Sequence, residues 1–253
     1  MATSAANDLT AFDSFTTVQN ETFRDAILDD ATCIADDVTF EGCEFVGGQF
    51  SGTPMTRLVF VDCDFTDCRF DSAALEECRF SHCRFYDRDN ETGCSFRFVS
   101  APGSCFEQSD LSMCSVERAA LHRVQIRDCQ AQGASFVQCD VSHLIGGSVR
   151  LHEFSMTDSN LAYADFTGAY LAEAELSGNR FSHVIMDRAC LRSATLTDCD
   201  LHGIEASGLE LVDADLRGSQ VTGLDIRKID VSGVRIDQVQ QGMLLTAIGM
   251  IVD

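Results

Sequence analysis

Cysteine, histidine and carboxylate side chains are the groups in this sequence that could do chemistry. The chain holds 13 cysteines, 6 histidines and 40 acidic residues among its 253 residues. No CxxC pair and no close set of cysteines and histidines occurs, which argues against a zinc site. The histidines are scattered, and the sequence contains no glycine-rich phosphate loop and no nucleophile elbow. We therefore expect no metal, no cofactor and no enzymatic activity.

The cysteines follow a regular spacing, which favours a structural role. Cys43, Cys63 and Cys83 lie twenty positions apart, and ten of the 13 cysteines occupy a position that elsewhere holds alanine or serine. The polar amino terminus has no apolar core of the kind found in secretion signals. We expect reduced, buried thiols that act as small apolar groups in a cytoplasmic protein without membrane attachment.

The formal net charge is −22, and the excess of acids extends along the whole chain. The phosphates of a nucleic acid would repel such a protein, so we expect no direct nucleic-acid binding. A chain of this charge could instead occupy a basic groove that normally holds DNA. Charge alone favours the plainer interpretation that the acids keep an extended surface soluble.

A period of five organises the sequence from residue 40 to residue 236. Every fifth residue is large and apolar in a run from Phe40 to Phe85, and a second run of apolar, mostly large residues begins at Phe96 and is interrupted at Gly146. Two residues earlier stands a small residue, and the residue between them is often aspartate. Two inward residues separated by an outward one indicate a short strand, and the remaining two residues must turn a corner. A fixed short period predicts a solenoid, here a narrow tube with the large residues on its axis.

The repeating units resemble a known family. Residues 164–168 (ADFTG) and 214–218 (ADLRG) are similar to the pentapeptide repeat, usually written A(D/N)Lxx. The resemblance implies an all-β fold, a right-handed quadrilateral β-helix with four pentapeptides in each coil. The period of five excludes the left-handed hexapeptide β-helix, which needs a period of six.

Interruptions of the period predict the domain organisation. We expect an amino-terminal tail and irregular cap at 1–38, and the β-helix at 39–237. A polar segment predicts a projecting loop near 86–93, and the loss of the axial residue at Gly146 predicts a second loop near 143–154.

The last stretch, 238–253, loses the period of five and carries apolar residues at helical spacing. We expect a helix that packs against its own copy in a homodimer, with capping of the final coil as the alternative. The candidate dimer-interface residues are Val239, Met243, Leu244, Ala247, Ile248 and Ile251.

Residues outside the repeat pattern narrow the resemblance to the Qnr quinolone-resistance proteins. The segments 85–88 and 93–96 resemble the two ends of the first loop in that family. The amino terminus and the second loop, with Gly146-Gly147-Ser148, depart from the family. Further similar segments are 110–113, 126–134, 160–166 and 224–227.

The resemblance implies a dimeric, DNA-mimicking protein that protects bacterial DNA gyrase, and possibly topoisomerase IV, from fluoroquinolones. In such a protein the acidic rod imitates duplex DNA and the loops contact the enzyme. An interaction scaffold or a DNA mimic with a partner other than a topoisomerase is the alternative. The candidate partner-binding residues are Tyr86, Asp87, Arg88 and Asp89 in the first loop, and Ile145, Val149 and Arg150 in the second.

Overall fold

The computed structural model describes residues 8–28, 34–146, 149–222, 224–247 and 249–250, without the side chains of Val149 and Ala247. A short 3₁₀ helix precedes many very short strands, and one α-helix follows them. The elements are a 3₁₀ helix at Leu9–Ala11, strands β1 Thr17–Gln19, β2 Thr22–Arg24, β3 Thr39–Glu41, β4 Glu44–Val46, β5 Pro54–Thr56, β6 Val59–Val61, β7 Asp64–Thr66, β8 Ala74–Glu76, β9 Arg79–Ser81, β10 Tyr86–Asp87, β11 Thr92–Gly93, β12 Cys105–Glu107, β13 Gln125–Arg127, β14 Ser142–Ile145, β15 Val149–His152 and β16 Ser155–Thr157, and helix α1 Gln238–Ala247.

Strands and single bridges stack in parallel on four sides of a tube. We number the sides in the order in which the chain visits them, at 39–41, 44–46, 49–51 and 54–56. The first side is a sheet in the order β1-β3-β6-β9-β12-β13-β16, the second is β2-β4-β7, and the fourth contains β5-β8. The third side is built from isolated bridges such as Gln49 to Arg69. The predicted four-sided β-helix is confirmed.

Most of the described corners of the tube are two-residue turns whose second residue has a left-handed backbone. Asp62 and Asp67 both have φ of 52°. The Asp62 amide donates to the Ser81 carbonyl of the next coil at 3.0 Å, so the turn is hydrogen-bonded between coils. Aspartate tolerates this conformation comparatively well, whereas an aromatic residue there is unusual. The side chain of this second corner residue points outward, and therefore each corner displays one side chain or one glycine per coil.

Phenylalanine rings fill the amino-terminal half of the axis as parallel stacks. The rings of Phe40, Phe60 and Phe80 follow one another at 5.1 Å and 4.9 Å, with their planes within 9° of parallel. Rings on neighbouring sides meet edge to face, as Phe60 and Phe65 do at 5.4 Å and 69°. Both arrangements are favourable for aromatic quadrupoles, and burial removes the rings from water. The axis therefore supplies most of the apolar burial that holds the coils together.

The small inward residues cap carbonyl groups of the preceding coil. The Cys63 thiol donates to the Phe40 carbonyl at 3.4 Å, the Ser104 hydroxyl to the Leu75 carbonyl at 2.7 Å, and the Asn179 amide to the Met156 carbonyl at 2.6 Å. In each pair the acceptor belongs to an axial residue. A buried carbonyl without a partner costs free energy, so a small donor suits this position. Among the described cysteines all thiols are free, and only Cys105 and Cys190 are not fully buried.

Departures from the twenty-residue coil mark the irregular segments. Thr39 pairs with Val59, twenty positions on, but Thr17 pairs with Thr39, 22 positions on. The spacing rises to 26 between β9 and β12, and to 30 between β13 and β16. Six added residues shift the phase of the period by one, whereas ten added residues are two whole pentapeptides and leave it unchanged.

Two positions near the second interruption differ from the sequence-based expectation. Leu151, expected on the axis, lies in β15 and is half-buried. Phe154, expected in the projecting loop, is only 6% exposed and fills the inward position before Met156. The coil therefore resumes at Phe154, later than the axial position that the period of five assigns to Leu151 but within the bounds predicted for the loop.

The two ends of the tube are closed differently. At the amino-terminal end Phe12 packs edge-on against Phe23 and Phe40, at 6.2 Å and 6.1 Å. At the other end the axial residues Val231 and Ile236 are 37% and 36% exposed. Helix α1 covers part of this end, so the amino-terminal end is sealed and the carboxyl-terminal end is only partly closed.

Candidate partner-binding surface

The first hairpin, β10 and β11, stands at the six-residue interruption. Tyr86 pairs with Gly93 and Asp87 with Thr92 in an antiparallel ladder. The Cys94 amide donates to the Phe85 carbonyl at 2.9 Å, so the chain leaves and re-enters the coil at one point.

Asp87 holds the turn of the first hairpin. Its carboxylate accepts from the Asn90 side-chain amide at 2.7 Å and from the Asp89 backbone amide at 2.9 Å. These bonds, the Asn90 side chain first, lower the pKa of Asp87 and favour its charged form. Arg88 and Asp89 are exposed, and Tyr86 is half-buried at the base. The structure thus gives Asp87 a supporting role and leaves Arg88 and Asp89 available to a partner.

The second hairpin, β14 and β15, is larger and is held against the tube by side chains. Leu144 pairs with Arg150, and Ile145 with Val149. The Arg150 guanidinium lies 5.1 Å from the centre of the Tyr170 ring, a cation–π contact. His152 Nδ1 lies 3.2 Å from a Glu173 carboxylate oxygen. Arg150, which the sequence suggested as a partner contact, therefore also anchors the hairpin.

A pair of stacked histidines supports the base of the second hairpin. The rings of His122 and His143 are 4.7 Å apart, and a cleft of about 510 Å³ separates the hairpin from the coil beside them. Burial, and then the neighbouring His143 and Arg123, lower the pKa of His122, so its neutral form is favoured. A neutral imidazole avoids charge repulsion in this stack.

The tip of the second hairpin exposes apolar side chains. Leu144 is 53% exposed and Ile145 is 49% exposed. Ile145 was predicted as a contact, and Leu144 was not, although it stands where the repeat usually places a small residue. The presence of leucine in place of a small residue was the feature of the sequence that could have indicated Leu144 as a contact. The side chain of Val149 lies outside the described part of the structure.

The two hairpins project from diagonally opposite corners. The first leaves after the second side, since Arg84 pairs with Asp64 below β10. The second leaves after the fourth side, since Asp140 pairs with Ala120 before β14. A partner that wraps the rod could therefore touch one hairpin on each flank.

The outward surface remains mostly unneutralised. The chain has 40 acidic residues against 18 lysines and arginines. In the described ranges only a few acids form ion pairs, for example Asp64 with Arg84 at 2.6 Å. The acids in such pairs are Asp36, Asp37, Asp64, Glu117, Glu173, Glu210, Asp215 and Asp225.

The predicted dimer residues divide into an exposed and a buried set. Val239 is 71% exposed and Met243 44% exposed, whereas Leu244 is buried against the last coil. Leu244 borders an open apolar cavity of about 220 Å³, which Leu216 and Val234 also line. Ala247 ends helix α1, while Ile248 and Ile251 lie outside the described residues. Helix α1 thus caps the coil with one face and leaves another face uncovered.

The described ranges contain neither a metal-binding cluster nor a membrane-spanning helix. Among these residues no group of three histidine, cysteine or acidic side chains is placed to hold a metal ion. No described helix is both long enough and apolar enough to cross a membrane.

Comparison with known proteins agrees with the repeat geometry. A model of the pentapeptide repeat family matches residues 159–198 and 194–233. The chain is a pentapeptide repeat protein. It is 32% identical over 143 residues to the quinolone resistance pentapeptide repeat protein QnrB96 of Scandinavium goeteborgense, which covers 56% of this chain and 55% of that relative. It is also 32% identical over 96 residues to the pentapeptide repeat protein QnrB4 of Escherichia coli, covering 38% and 45%.

Solved structures of a Qnr protein share the fold of this pentapeptide repeat protein. Full-length QnrB1, described as a plasmid-mediated fluoroquinolone resistance protein, superposes with a TM-score of 0.70 over 92% of this chain and 100% of QnrB1, at 24% identity. A trypsin-treated form gives the same TM-score over 94% and 99%. The sequence matches span about half the length of the curated relatives, while the structural match extends over nearly the whole chain.

Proposed function

We propose that this pentapeptide repeat protein is a non-catalytic, cytoplasmic homodimer that binds DNA gyrase, and topoisomerase IV, and protects them from fluoroquinolones. The observation that carries the proposal is its similarity to proteins named for quinolone resistance, joined to an acidic rod that bears two hairpins. The mechanism has an electrostatic part and a contact part.

The acidic rod supplies the electrostatic part. A topoisomerase binds duplex DNA in a basic groove, and that groove attracts any rod with outward negative charge. Most acids of this chain are free of ion pairs in the described ranges, as Asp110 and Asp165 are, so their charge is available to lysines and arginines of a partner. The rod takes the place of DNA without offering a bond that the enzyme could cleave.

The hairpins supply the contact part. Arg88 and Asp89 offer polar groups on one flank of the rod, and Leu144 and Ile145 offer apolar groups on the other. A protein that binds the drug-free enzyme better than the drug-bound enzyme weakens the affinity of the enzyme for the drug by the same factor. Hairpins that contact the enzyme close to its cleavage site could provide this difference in affinity.

The dimer doubles the acidic rod. Among the described residues, only the carboxyl-terminal end has exposed axial residues, Val231 and Ile236, together with Val239 and Met243 of helix α1. Two copies joined there would cover these apolar groups and leave the sealed ends outward.

A supercoiling assay with gyrase and ciprofloxacin tests the proposal, using the wild type and two deletion variants. Deleting residues 87–92 or residues 143–152 restores the regular twenty-residue coil, so each variant keeps the repeat register. We expect the wild type to restore supercoiling in the presence of drug, and the first-hairpin deletion to lose this activity. The second deletion removes the other projecting hairpin for comparison, and we expect it to weaken protection.

The outcomes separate the proposed function from its alternative. If the wild type changes neither drug-treated nor drug-free supercoiling, the topoisomerase proposal is wrong. If binding to gyrase is salt-dependent and survives removal of both hairpins without any protection, the protein is a DNA mimic whose relevant partner lies elsewhere.

A further inference from the structure

One corner of the tube changes character below the first hairpin. The register places five residues in a column there, because Asp110, Gln130, Asn160, Arg180 and Asp200 pair in series one coil apart. We call this column the corner strip. Its members, each three residues after one of these, are Met113, Gly133, Tyr163, His183 and Gly203.

The corner strip exposes an uncharged, partly aromatic surface. Met113 is 51% exposed and Tyr163 is 65% exposed. The rings of Tyr163 and His183 stack at 5.2 Å with planes 11° apart, and His202 meets His183 edge-on at 5.4 Å. These rings support one another on the surface, so little conformational entropy remains to be lost when a partner covers them.

The two glycines make the strip flat. A Cβ on Gly133 would lie 2.6 Å from the Met113 sulfur, and a Cβ on Gly203 would lie 2.7 Å from His183 Nδ1. The side chains of Met113 and His183 therefore lie along the corner, over the glycine of the next coil. Tyr163 has φ of 63°, a conformation unusual for an aromatic residue, and its ring stays on the surface.

The same corner is acidic above the first hairpin. There the equivalent position holds the exposed residues Asp25 and Asp67, whereas no member of the corner strip carries an acid. The strip is an uncharged break on a chain of net charge −22. Attraction between acidic side chains and a basic partner therefore cannot be the role of this part of the corner.

The corner strip is continuous with the first hairpin. Arg84 pairs with Asp110, so the hairpin emerges one coil above Met113 on the same corner. The packing is close, because a Cβ on Gly93 would collide with the backbone of Met113 and Cys114. A partner that reaches Arg88 and Asp89 would extend onto Met113 without crossing a charged gap.

We propose that the corner strip is a second docking surface for the protein partner that the first hairpin contacts. The inference rests on the proposed function and adds residues to the same interface. The partner surface it fits is flat and uncharged, such as the side of a helix or strand next to the basic groove. Tyrosine and methionine are enriched in the centres of such interfaces, whereas lysine and glutamate are depleted. The acids of the rod thus attract the partner over a distance, whereas the corner strip packs closely against it.

The test compares Tyr163→Ala and His183→Ala with Phe98→Ala. Phe98 is a matched control because it is also an exposed aromatic residue, 53% exposed, at a left-handed corner position with φ of 58°, but on the next corner. Affinity for immobilised gyrase is measured by interferometry at several salt concentrations, with circular dichroism to verify folding. We expect a loss of about tenfold or more for each strip variant with an unchanged salt dependence, and less than about twofold for Phe98→Ala.

Each result decides the inference. If wild-type protein binds gyrase and the strip variants bind equally well, the corner strip is not an interface, and the proposed function stands. If the Phe98 variant loses as much affinity as the strip variants, the effect belongs to exposed aromatic rings in general and the inference is wrong. If the wild type does not bind gyrase, both the proposed function and this assignment fail. Should Tyr163→Ala unfold, Tyr163→Asp together with Met113→Ser tests the same surface.

Discussion

At the residue scale, the buried cysteines combine two properties of a thiol. The sulfur is small and apolar enough for the inward position, and the S–H group donates to a carbonyl, as Cys199 does to Leu176 at 3.1 Å. Burial raises the pKa of Cys129 and of Cys199 to about 11. A thiol at this position therefore stays protonated where an exposed cysteine would begin to ionise.

These thiols predict that stability falls in alkaline solution. A cysteine in the unfolded chain ionises near pH 8.5, below the pKa of the buried group, so the unfolded state releases its protons first as the pH rises. The contribution of these thiols to the free energy of unfolding should be constant below about pH 8 and should decrease as the pH rises from about 8.5 toward 11. Urea unfolding at pH 7.5 and pH 9.5, under a reductant, measures the difference.

The matched variants remove buried or half-buried thiols. Replacing Cys129 and Cys199 together by alanine should reduce the alkaline loss more than replacing the half-buried Cys105 and Cys190 does. An alkaline loss that is identical in both variants would contradict the assignment to buried thiols.

Much of the residue pattern was predictable because the period of five acts on every coil. The axial Phe40 to Phe85 series and the small inward positions follow from side-chain size alone. Asp87 and Arg150 were predicted as partner contacts without their structural roles. These roles depend on contacts with Asn90 in the turn and Tyr170 in the next coil. Hairpin geometry, which the period does not describe, determines those contacts.

At the element scale, Gln240 ties the first turn of helix α1 to the last coil. Gln240 is 2% exposed, and its side-chain amide donates to the Leu216 carbonyl at 2.5 Å and the Ser219 carbonyl at 2.7 Å. Its side-chain oxygen accepts from the Asp237 amide at 2.8 Å, while Asp237 accepts from the Gln240 amide at 3.0 Å. This reciprocal pair is a capping box that also continues the inward row of carbonyl caps into the helix.

Gln240→Ala should therefore detach the helix, whereas Gln241→Ala should not. Two buried carbonyls lose their donor in the first variant, a cost of about 1–3 kcal/mol for each unsatisfied group. Gln241 is the next residue and is exposed, so its removal should have an effect within about 0.5 kcal/mol. Hydrogen exchange of the α1 amides measures this local stability, and equal exchange rates in the two variants would contradict the anchor role.

The hairpins and the helix were visible in the sequence as interruptions, but their attachment was not. An interruption shows where the period of five is lost, and the residues that do not follow it, at 86–93 and at Gly146, marked both hairpins approximately. The stack of His122 on His143 and the cap by Gln240 join residues about twenty positions apart through coil-to-coil register. That register changes at each interruption, so these pairs could not be aligned before the structure was known.

At the scale of the whole molecule, the unequal ends determine how copies can meet. Phe12 seals the amino-terminal end, whereas the carboxyl-terminal end exposes Val239 and Met243 on helix α1 and Val231 and Ile236 on the last coil. The proposed end-to-end association through the open end would be closed and two-fold, so it would stop at two copies and form no filament.

Charge placed on the exposed face of α1 should dissociate the proposed dimer. In Val239→Asp/Met243→Asp each carboxylate would be buried without a partner in the joined state, which costs several kcal/mol. Light scattering should then give the monomer mass of 27.6 kDa in place of twice that value. Thr246→Asp, on an exposed position of the same helix, should leave the dimer intact. A wild-type protein that is already monomeric would remove the proposed dimer.

The closed base of each hairpin has a consequence for how such a chain can change. Because the Cys94 amide donates directly to the Phe85 carbonyl, the conformation of the coil does not depend on the number of residues between them. Segments of other lengths and sequences could be grafted at either corner while the stacked rings keep the scaffold unaltered. Under the proposed function, the rod is thereby a scaffold on which hairpins of different partner preference can be exchanged independently of folding.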